Sequence, residues 1–286
     1  MKTRVFSLAL LAGLIAGPFA VAAEEADAVA YTQTAETQPL RSTLVAWDSV
    51  NLNETPVGLH GAVFDAPTAT LEKLELHVTT LRPGKAAHAP HHHAWEEIFL
   101  IKEGRVEISI NGEKRRAGPG ALIFIAPHDV HNLTNVGDSA ATYYVITFAT
   151  SAVHTVRGEP AASWEPATFL HSSVIDCDAV APVGTATGSR RSILDSPTAT
   201  LLRLESHMTA LNVGAKTTHD LRGPADELVV VKTGTVEATV SGAASRLGPG
   251  SLAFIASGDP HGFRNVGTVE ASYQVIKLYS DKTPSH

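Results

Sequence analysis

The sequence contains an internal repeat that aligns two halves of the chain without a gap, at an offset of 130 residues. Residues 65–84 are identical to residues 195–214 at 12 of 20 positions, and residues 118–137 match residues 248–267 equally well. The loop at residues 85–96 shares no identity with its counterpart. A repeat of this length predicts two copies of one domain, with a common scaffold and one loop that differs completely.

Each copy has the pattern of short β-strands. Apolar and polar residues alternate over Val106–Ile110, and the Asn111-Gly112 pair that follows is a strong signal for a β-hairpin. No window of twelve or more residues has a convincing helical stripe, and the 22 glycines and 16 prolines fit many tight turns. Seven or eight strands in about 105 residues predict a sandwich or barrel, and a jelly roll closes its edges economically. The expected fold class is all-β, with two tandem jelly-roll β-barrels.

The repeat also predicts the domain boundaries. We expect a signal peptide at 1–23, a polar lead-in at 24–43 that is loose or wrapped on the neighbouring half, a first barrel at 44–150, a linker at 151–173 and a second barrel at 174–286.

The first 23 residues have the three parts of a secretion signal. Lys2 and Arg4 form a basic start, residues 5–17 are almost entirely apolar, and small residues around Ala22 suit cleavage. An uncleaved membrane anchor is the alternative, but the apolar part is shorter than the roughly 20 residues that a span needs. We therefore expect export to the periplasm or the extracellular space, with no membrane contact after cleavage.

Charge and cysteine content limit the functions that fit. The 22 Lys and Arg residues against 29 Asp and Glu residues give a net charge of −7, which argues against nucleic-acid binding. Cys177 is the only cysteine, so an intramolecular disulfide or a cysteine-based metal site is excluded. With 14 histidines in the chain, nitrogen and oxygen ligands would hold any metal.

Four residues of the first copy have the spacing of a metal site. His91 and His93 are two residues apart, so on a strand their side chains face the same way, and Glu97 joins that face if the strand continues through a turn. His131 follows the predicted hairpin and would come from a neighbouring strand. Three imidazoles and a carboxylate leave open positions on an octahedral Fe, Mn, Co, Ni or Zn ion.

This pattern resembles the two motifs of the cupin superfamily, and the repeat resembles its duplicated form, the bicupins. The motif residues are Gly84, His91, His93, Glu97 and Gly104, then Gly120, His131 and Asn135. There is one extra residue before the first histidine, and Ala126 and His128 stand where the family usually has proline and glycine. The resemblance covers residues 44–149 and 174–279. It implies a barrel that binds a metal inside through His91, His93, Glu97 and His131.

The second copy lacks part of this set. Leu221 and Gly223 replace the paired histidines, although Glu227 and His261 remain. His219 lies nearby and is an alternative ligand for an ill-formed second site. We expect a degenerate second barrel and one divalent transition metal per chain, with Fe or Mn favoured over Zn, Ni or Co.

Further candidates surround the metal ligands. We assign catalytic roles to His128, as a proton relay, and to Tyr144, as a phenol in the cavity. A plain surface turn is the equal alternative for His128, and strand alternation admits only one of Tyr143 and Tyr144. Trp95 and Glu96 are candidates for the rim of the site.

Two classes of function fit these residues. The first is a metal-dependent enzyme acting on a small carboxylate, enol or sugar acid, foremost a dioxygenase, with isomerase, decarboxylase and lyase reactions as alternatives within the family. The second is an exported protein that only binds a small molecule or metal. The expected partner is a small-molecule substrate, and self-association into a homo-oligomer stays open.

Overall fold

The computed structural model describes residues 38–164, 168–217 and 221–285. Regular structure in these ranges consists of β-strands and three short 3₁₀ turns, at Trp47–Ser49, Ser151–Thr155 and Ala161–Ser163. The first half contributes β1 to β10, which span Thr43–Val45, Asn53–Thr55, Gly58–Ala66, Lys73–Leu81, Glu96–Glu103, Val106–Ile110, Glu113–Ala117, Ala121–Ile125, His131–Asn135 and Ala141–Ala149. The second half contributes β11 to β20, which span Ser173–Asp176, Val183–Thr185, Gly188–Ser196, Arg203–Leu211, Asp226–Thr233, Val236–Val240, Ala243–Leu247, Leu252–Ile255, His261–Asn265 and Ala271–Tyr279.

Each half forms a jelly-roll barrel from a seven-stranded and a three-stranded antiparallel sheet. In the first barrel the large sheet has the order β11-β8-β5-β10-β4-β3-β2, and the small sheet has the order β7-β6-β9. The second barrel repeats this arrangement with β1-β18-β15-β20-β14-β13-β12 and β17-β16-β19. The predicted Asn-Gly hairpin joins β6 and β7, with φ of 50° at Asn111 and 87° at Gly112. The expectation of an all-β pair of tandem barrels is confirmed.

The two halves exchange their first strands. Strand β1, from the first half, pairs with β18 of the second barrel, with Thr43 opposite Phe254. Strand β11, from the second half, pairs with β8 of the first barrel, with Ser173 opposite Phe124. The predicted boundaries at residues 44 and 174 therefore do not separate the two sheets. Local sequence pattern marked where each repeat begins, but the partner of an edge strand is set by long-range packing.

The two large sheets pack face to face around one shared apolar cluster. Alternate side chains along β4 and β10 enter this cluster, and equivalent residues of the second barrel enter it from the other side. The cluster includes Leu74, Leu76, Phe124, Ile146, Phe148, Leu204, Leu228, Phe254 and Ile276. The opposite faces of the same strands enclose a smaller apolar core inside each barrel. The central strands of each large sheet are thus buried on both faces, which explains why β10 has no exposed residue.

The predicted signal peptide and most of the lead-in lie outside the described residues. The last part of the lead-in contacts the neighbouring barrel, since Ser42 donates a hydrogen bond to Asp259 at 2.6 Å and accepts one from the Ala256 N–H at 2.8 Å. Within the described ranges, we find no helix with the length and apolar character required to span a membrane.

The shared cluster predicts that the two barrels unfold together. Phe124→Ala removes a fully buried ring from that cluster, and we expect it to lower the free energy of unfolding by about 3–5 kcal/mol. Urea unfolding followed by both circular dichroism and tryptophan fluorescence should show a single shifted transition. A second transition that keeps the wild-type midpoint would show that the second barrel is independent.

Candidate metal centre

The structure brings three histidines together inside the first barrel. His131 begins β9 and forms an isolated β-bridge with His91, with backbone N···O distances of 3.1 and 2.8 Å. His93 lies two residues further along the loop that precedes β5. The side-chain nitrogens of the three residues that could bind a metal all lie within 4.8 Å of one another. The spacing of these histidines in the sequence therefore predicted a real cluster.

Backbone carbonyl groups orient each of the three imidazoles. In each ring Nδ1 faces a backbone carbonyl oxygen. This oxygen belongs to Ala89 for His91, at 3.2 Å, to Trp95 for His93, at 2.9 Å, and to Asp129 for His131, at 2.9 Å. Because a carbonyl oxygen can only accept, Nδ1 carries the proton in each neutral ring. Each Nε2 then keeps a free lone pair, which is the arrangement usual for metal-binding histidines.

The chemistry of these donors fits a divalent cation. The Nε2 atom of His93 is buried and has no hydrogen-bond partner. The Oε2 atom of Glu97 lies 3.1 Å from Nε2 of His131 and 3.5 Å from Nε2 of His93. With the protons on Nδ1, all of these atoms are acceptors, and a cation between them would relieve their mutual repulsion. Three imidazoles and one carboxylate suit Mn, Fe, Co, Ni or Zn and leave positions open on an octahedral ion.

Glu97 reaches the cluster although no strand continues from His93. Ala94 and Trp95 form a bend, and β5 begins only at Glu96. The pairing of β5 with β10 places Thr147 opposite Glu97, and the Thr147 hydroxyl donates to Oε1 of Glu97 at 3.3 Å. The assumption of one continuous strand was wrong, but the inward orientation of Glu97 is confirmed.

The surroundings of the cluster favour an ionised carboxylate and neutral histidine. Burial alone would raise the pKa of Glu97, but the imidazoles of His131 and His93, which in their protonated forms donate hydrogen bonds and carry positive charge, hold it well below its usual range. Burial, followed by the neighbouring His131, lowers the pKa of His91 to about 4, although the Ala89 carbonyl and Glu97 act in the opposite direction. In the metal-free protein His91 is therefore neutral, and ready to bind a cation, at any pH well above 4.

A cavity of about 70 Å³ adjoins the histidines inside the barrel. Its polar lining consists of His77, Thr79, His88, His91, Glu97, His131, Asn132 and Tyr143. Its apolar lining comes from Ala87, Phe99, Leu133 and Val145, and the lining includes no lysine or arginine. A bound anion would therefore depend on a metal and on neutral hydrogen-bond donors for its stabilisation.

Tyr143, and not Tyr144, supplies the phenol of this cavity. Tyr143 lines it opposite Phe99, and burial raises the pKa of the Tyr143 hydroxyl above its usual range. The Tyr144 hydroxyl points to the other barrel and donates a hydrogen bond to the Gly250 carbonyl oxygen at 2.7 Å. The placement of Tyr144 in the cavity was wrong. Because β10 is buried on both faces, its hydrophobic pattern did not reveal which tyrosine faces inward.

His128 lies beside the metal cluster but outside the cavity lining. It occupies a turn with φ of 58°, and its Nδ1 is 3.2 Å from Nδ1 of His92. Its backbone N–H donates to the carbonyl oxygen of His93 at 2.8 Å, so the turn supports the loop that bears the ligands. The proton-relay role of His128 stays a prediction.

Trp95 lies against one of the proposed ligands, whereas Glu96 does not lie at the rim of the site. The indole of Trp95 stacks on the imidazole of His93, with ring centroids 4.8 Å apart and planes inclined by 11°. Glu96 is fully buried against the other barrel. Burial raises its pKa to about 7, although hydrogen bonds from Thr200 and Thr198 act against that rise. The rim assignment of Glu96 was wrong, because the second barrel covers the face of β5 on which Glu96 lies.

The second barrel has an ammonium group in the corresponding place. The Nζ atom of Lys277 lies 2.9 Å from Oε1 of Glu227, and Nε2 of His261 lies 3.7 Å from Oε2 of the same carboxylate. Lys277 corresponds to Thr147 in the first barrel at the offset of 130 residues. With Leu221 and Gly223 in place of histidines, the lysine neutralises the carboxylate that a metal would otherwise need. His219 lies outside the described residues.

Sequence reasoning did not identify Lys277 or Thr79 as site residues, and it chose Tyr144 over Tyr143 for the cavity. The alignment of the two repeats could have indicated Lys277, because a charged residue stands there at the inward position that Thr147 occupies in the first copy. The alternation of β4, with His77 and Thr79 on one face, could have indicated the cavity wall.

Comparisons with known proteins agree with this geometry. The fold is a pair of jelly-roll barrels, of which the first contains a candidate metal site, and the model of the cupin domain matches residues 77–147 and again residues 207–277. The chain belongs to the cupin superfamily and has the duplicated, bicupin form.

Several solved structures are similar in fold over most of the chain. AerE from Microcystis aeruginosa has 13% identity, covers 83% of this chain and 99% of its own, and gives a TM-score of 0.62. Ylba from E. coli has 10% identity, with coverages of 86% and 93% and a TM-score of 0.61. A deletion mutant of oxalate decarboxylase from Bacillus subtilis has 14% identity, with coverages of 86% and 78% and a TM-score of 0.61. These identities show a common fold and no more.

The shifted pKa of His91 can be measured in the metal-free protein. An NMR titration should show its Hε1 resonance moving with a midpoint near pH 4, and His91→Gln provides the assignment. A lowered folded pKa means that His91 stabilises the fold less as pH falls from about 6.5, the unperturbed value, towards 4. A midpoint near 6.5 would contradict the burial and orientation described here.

Metal content should distinguish the two barrels. We expect about one tightly bound transition metal per chain after loading and desalting, measured by plasma mass spectrometry. His131→Ala should abolish this binding, whereas His261→Ala, the matched change in the second barrel, should leave it unchanged. Two tightly bound ions per chain would contradict the degenerate second site.

Proposed function

We propose that this protein is a metal-dependent enzyme that acts on a small organic acid at the single three-histidine, one-glutamate site of the first barrel. The observation that carries the proposal is the convergence of three oriented Nε2 lone pairs and an ionised carboxylate beside a cavity in the first barrel. Such a set leaves coordination positions vacant, which a purely structural ion does not need.

The cavity supports a small carboxylate, enol or sugar acid as substrate. A volume of about 70 Å³ holds a molecule of few non-hydrogen atoms. A divalent ion bound with Glu97 has a net charge of +1, which favours one anionic group in the vacant positions. The absence of lysine and arginine from the lining makes this the main attraction for an anion.

Groups of the chain itself would orient the substrate and handle protons. Tyr143 stays protonated because burial raises its pKa, so its hydroxyl, which is paired with Thr79, is a hydrogen-bond donor to a substrate oxygen. His77 lines the same cavity, and its Nδ1 lies 2.9 Å from Oε1 of Glu75, which holds the ring in one orientation. When bound, a divalent Mn or Fe ion would supply Lewis-acid polarisation of the substrate and, with O₂, redox chemistry.

We infer a dioxygenase-type reaction as the first candidate, because an octahedral ion with four protein ligands keeps positions for both substrate and O₂. Decarboxylation is the second candidate. It is supported by the similar fold of Bacillus subtilis oxalate decarboxylase, in which Mn(II) centres have been studied. Both candidates use the same ligands and the same cavity.

We also propose that residues 1–23 direct export, so that the enzyme acts in the periplasm or outside the cell. The acidic net charge of −7 supports a small-molecule substrate over nucleic acid as partner. Self-association into a homo-oligomer is a further expectation, which sedimentation of the purified protein tests directly.

The reaction is tested by following O₂ and CO₂ together. Protein loaded with Mn(II) or Fe(II) is incubated with small keto acids, dicarboxylates, enols and sugar acids, with an oxygen electrode and mass-spectrometric detection of CO₂. Oxygen consumed in step with substrate supports a dioxygenase, and CO₂ released without net oxygen consumption supports a decarboxylase. Tight substrate binding without turnover under any of these conditions would instead support a binding protein.

Glu97→Gln should weaken metal binding or turnover by at least about tenfold, a loss of roughly 1.4 kcal/mol, because it removes the anionic ligand. Glu227→Gln, the matched change in the second barrel, is the control and should leave both quantities unchanged. An equal effect of the two substitutions would show that the carboxylate acts on the stability of the fold and not on the metal.

A further inference from the structure

Glu96 connects the metal centre to the second barrel. Its carboxylate accepts hydrogen bonds from the hydroxyl groups of Thr198 at 2.7 Å and Thr200 at 2.6 Å, and from the Ala199 N–H at 2.9 Å. These three donors belong to the loop between β13 and β14 of the second half. We call this set of hydrogen bonds the Glu96 contact.

The Glu96 contact lies between two residues that shape the metal site. Glu97 follows directly and faces the opposite side of β5, towards His131. Trp95 precedes directly, and its carbonyl oxygen accepts the hydrogen bond that orients His93. The backbone of residues 95–97 therefore sets the position of two of the four proposed ligands, and Glu96 anchors that backbone at its middle residue.

A matched contact exists on the other side of the pseudo-symmetric interface. Asp226, which corresponds to Glu96, accepts hydrogen bonds from the hydroxyl groups of Thr68 and, at 2.6 Å, of Thr70 in the first half. Its neighbour is Glu227, in the barrel without the paired histidines. The chain thus contains two similar buried contacts, of which only one adjoins a full set of ligands.

Glu96 is the first residue of β5, so its contact fixes the end of the strand that adjoins the metal site. The loop before it, which carries His91 and His93, has no regular strand, and strand ends open locally unless other contacts hold them. We propose that the Glu96 contact positions Glu97 and His93 for metal binding, so that the second barrel acts as a brace for the metal site of the first. This inference rests on the proposed metal site.

The test compares Thr200→Val with Thr70→Val in the full chain. Each change removes one 2.6 Å hydrogen bond to a buried acid of the opposite barrel and preserves the shape of the side chain. We expect Thr200→Val to raise the Kd for Mn(II), titrated by electron paramagnetic resonance, about tenfold or more, and Thr70→Val to change it less than about twofold. The spectrum of bound Mn(II) should change only in Thr200→Val.

Two further measurements separate positioning from general destabilisation. The Tm of the metal-free protein should fall by similar amounts in both variants, because both lose an equivalent interface hydrogen bond. The separate variant Thr200→Ser keeps the hydroxyl group, so its Kd should lie within about twofold of the wild-type value. If Thr200→Val does not fold, Glu96→Gln and Asp226→Asn provide the same comparison.

Equal changes in Kd for the two variants, or no change in either, would overturn the positioning role while leaving the metal site intact. Failure of the wild-type protein to bind Mn(II), Fe(II) or another divalent transition metal would overturn the proposed site itself, and the positioning role with it. The wild-type titration distinguishes these two outcomes.

Discussion

The alternation of side chains along β5 is the constraint on which the rest of the structure depends. Glu97, Phe99 and Ile101 face the interior of the first barrel, while Glu96, Ile98 and Leu100 face the second barrel. One strand therefore forms a wall of the cavity and a wall of the interface at the same time. Any shift of β5 that altered the packing between the barrels would also move the carboxylate that faces the histidines.

The histidine cluster and the barrel fold could be predicted because both depend on short-range order in the sequence. His91 and His93 both reach the cluster although the segment that carries them is a bridged loop and not a regular strand. The inward tyrosine could not be predicted, because Tyr143 and Tyr144 are both buried, each in a different apolar core. The role of Glu96 depended on a loop about a hundred residues away, and no local pattern indicates such a partner.

The two repeats have changed at the site and kept their interface. Leu221, Gly223 and Lys277 replace His91, His93 and Thr147 of the metal cluster and its surroundings, whereas the threonines of both interface loops are the same in the two copies. An internal ammonium satisfies the Glu227 carboxylate, so this buried acid has a cationic partner that belongs to the chain itself. Its shape is required by the first barrel, since each large sheet covers the apolar face of the other.

The exchange of edge strands has a consequence for how the chain is made. Thr43 pairs with Phe254, so the earliest described strand has no native neighbour until most of the polypeptide has been synthesised. Strand β8 has an unpaired apolar edge until β11 has been synthesised. Such an edge is a template for association with other incomplete chains. Pairings this distant in sequence also fold slowly. A nascent chain of this protein therefore exposes the unpaired edge of β8 until β11 has been made, and the unpaired edge of β1 until β18 has been made.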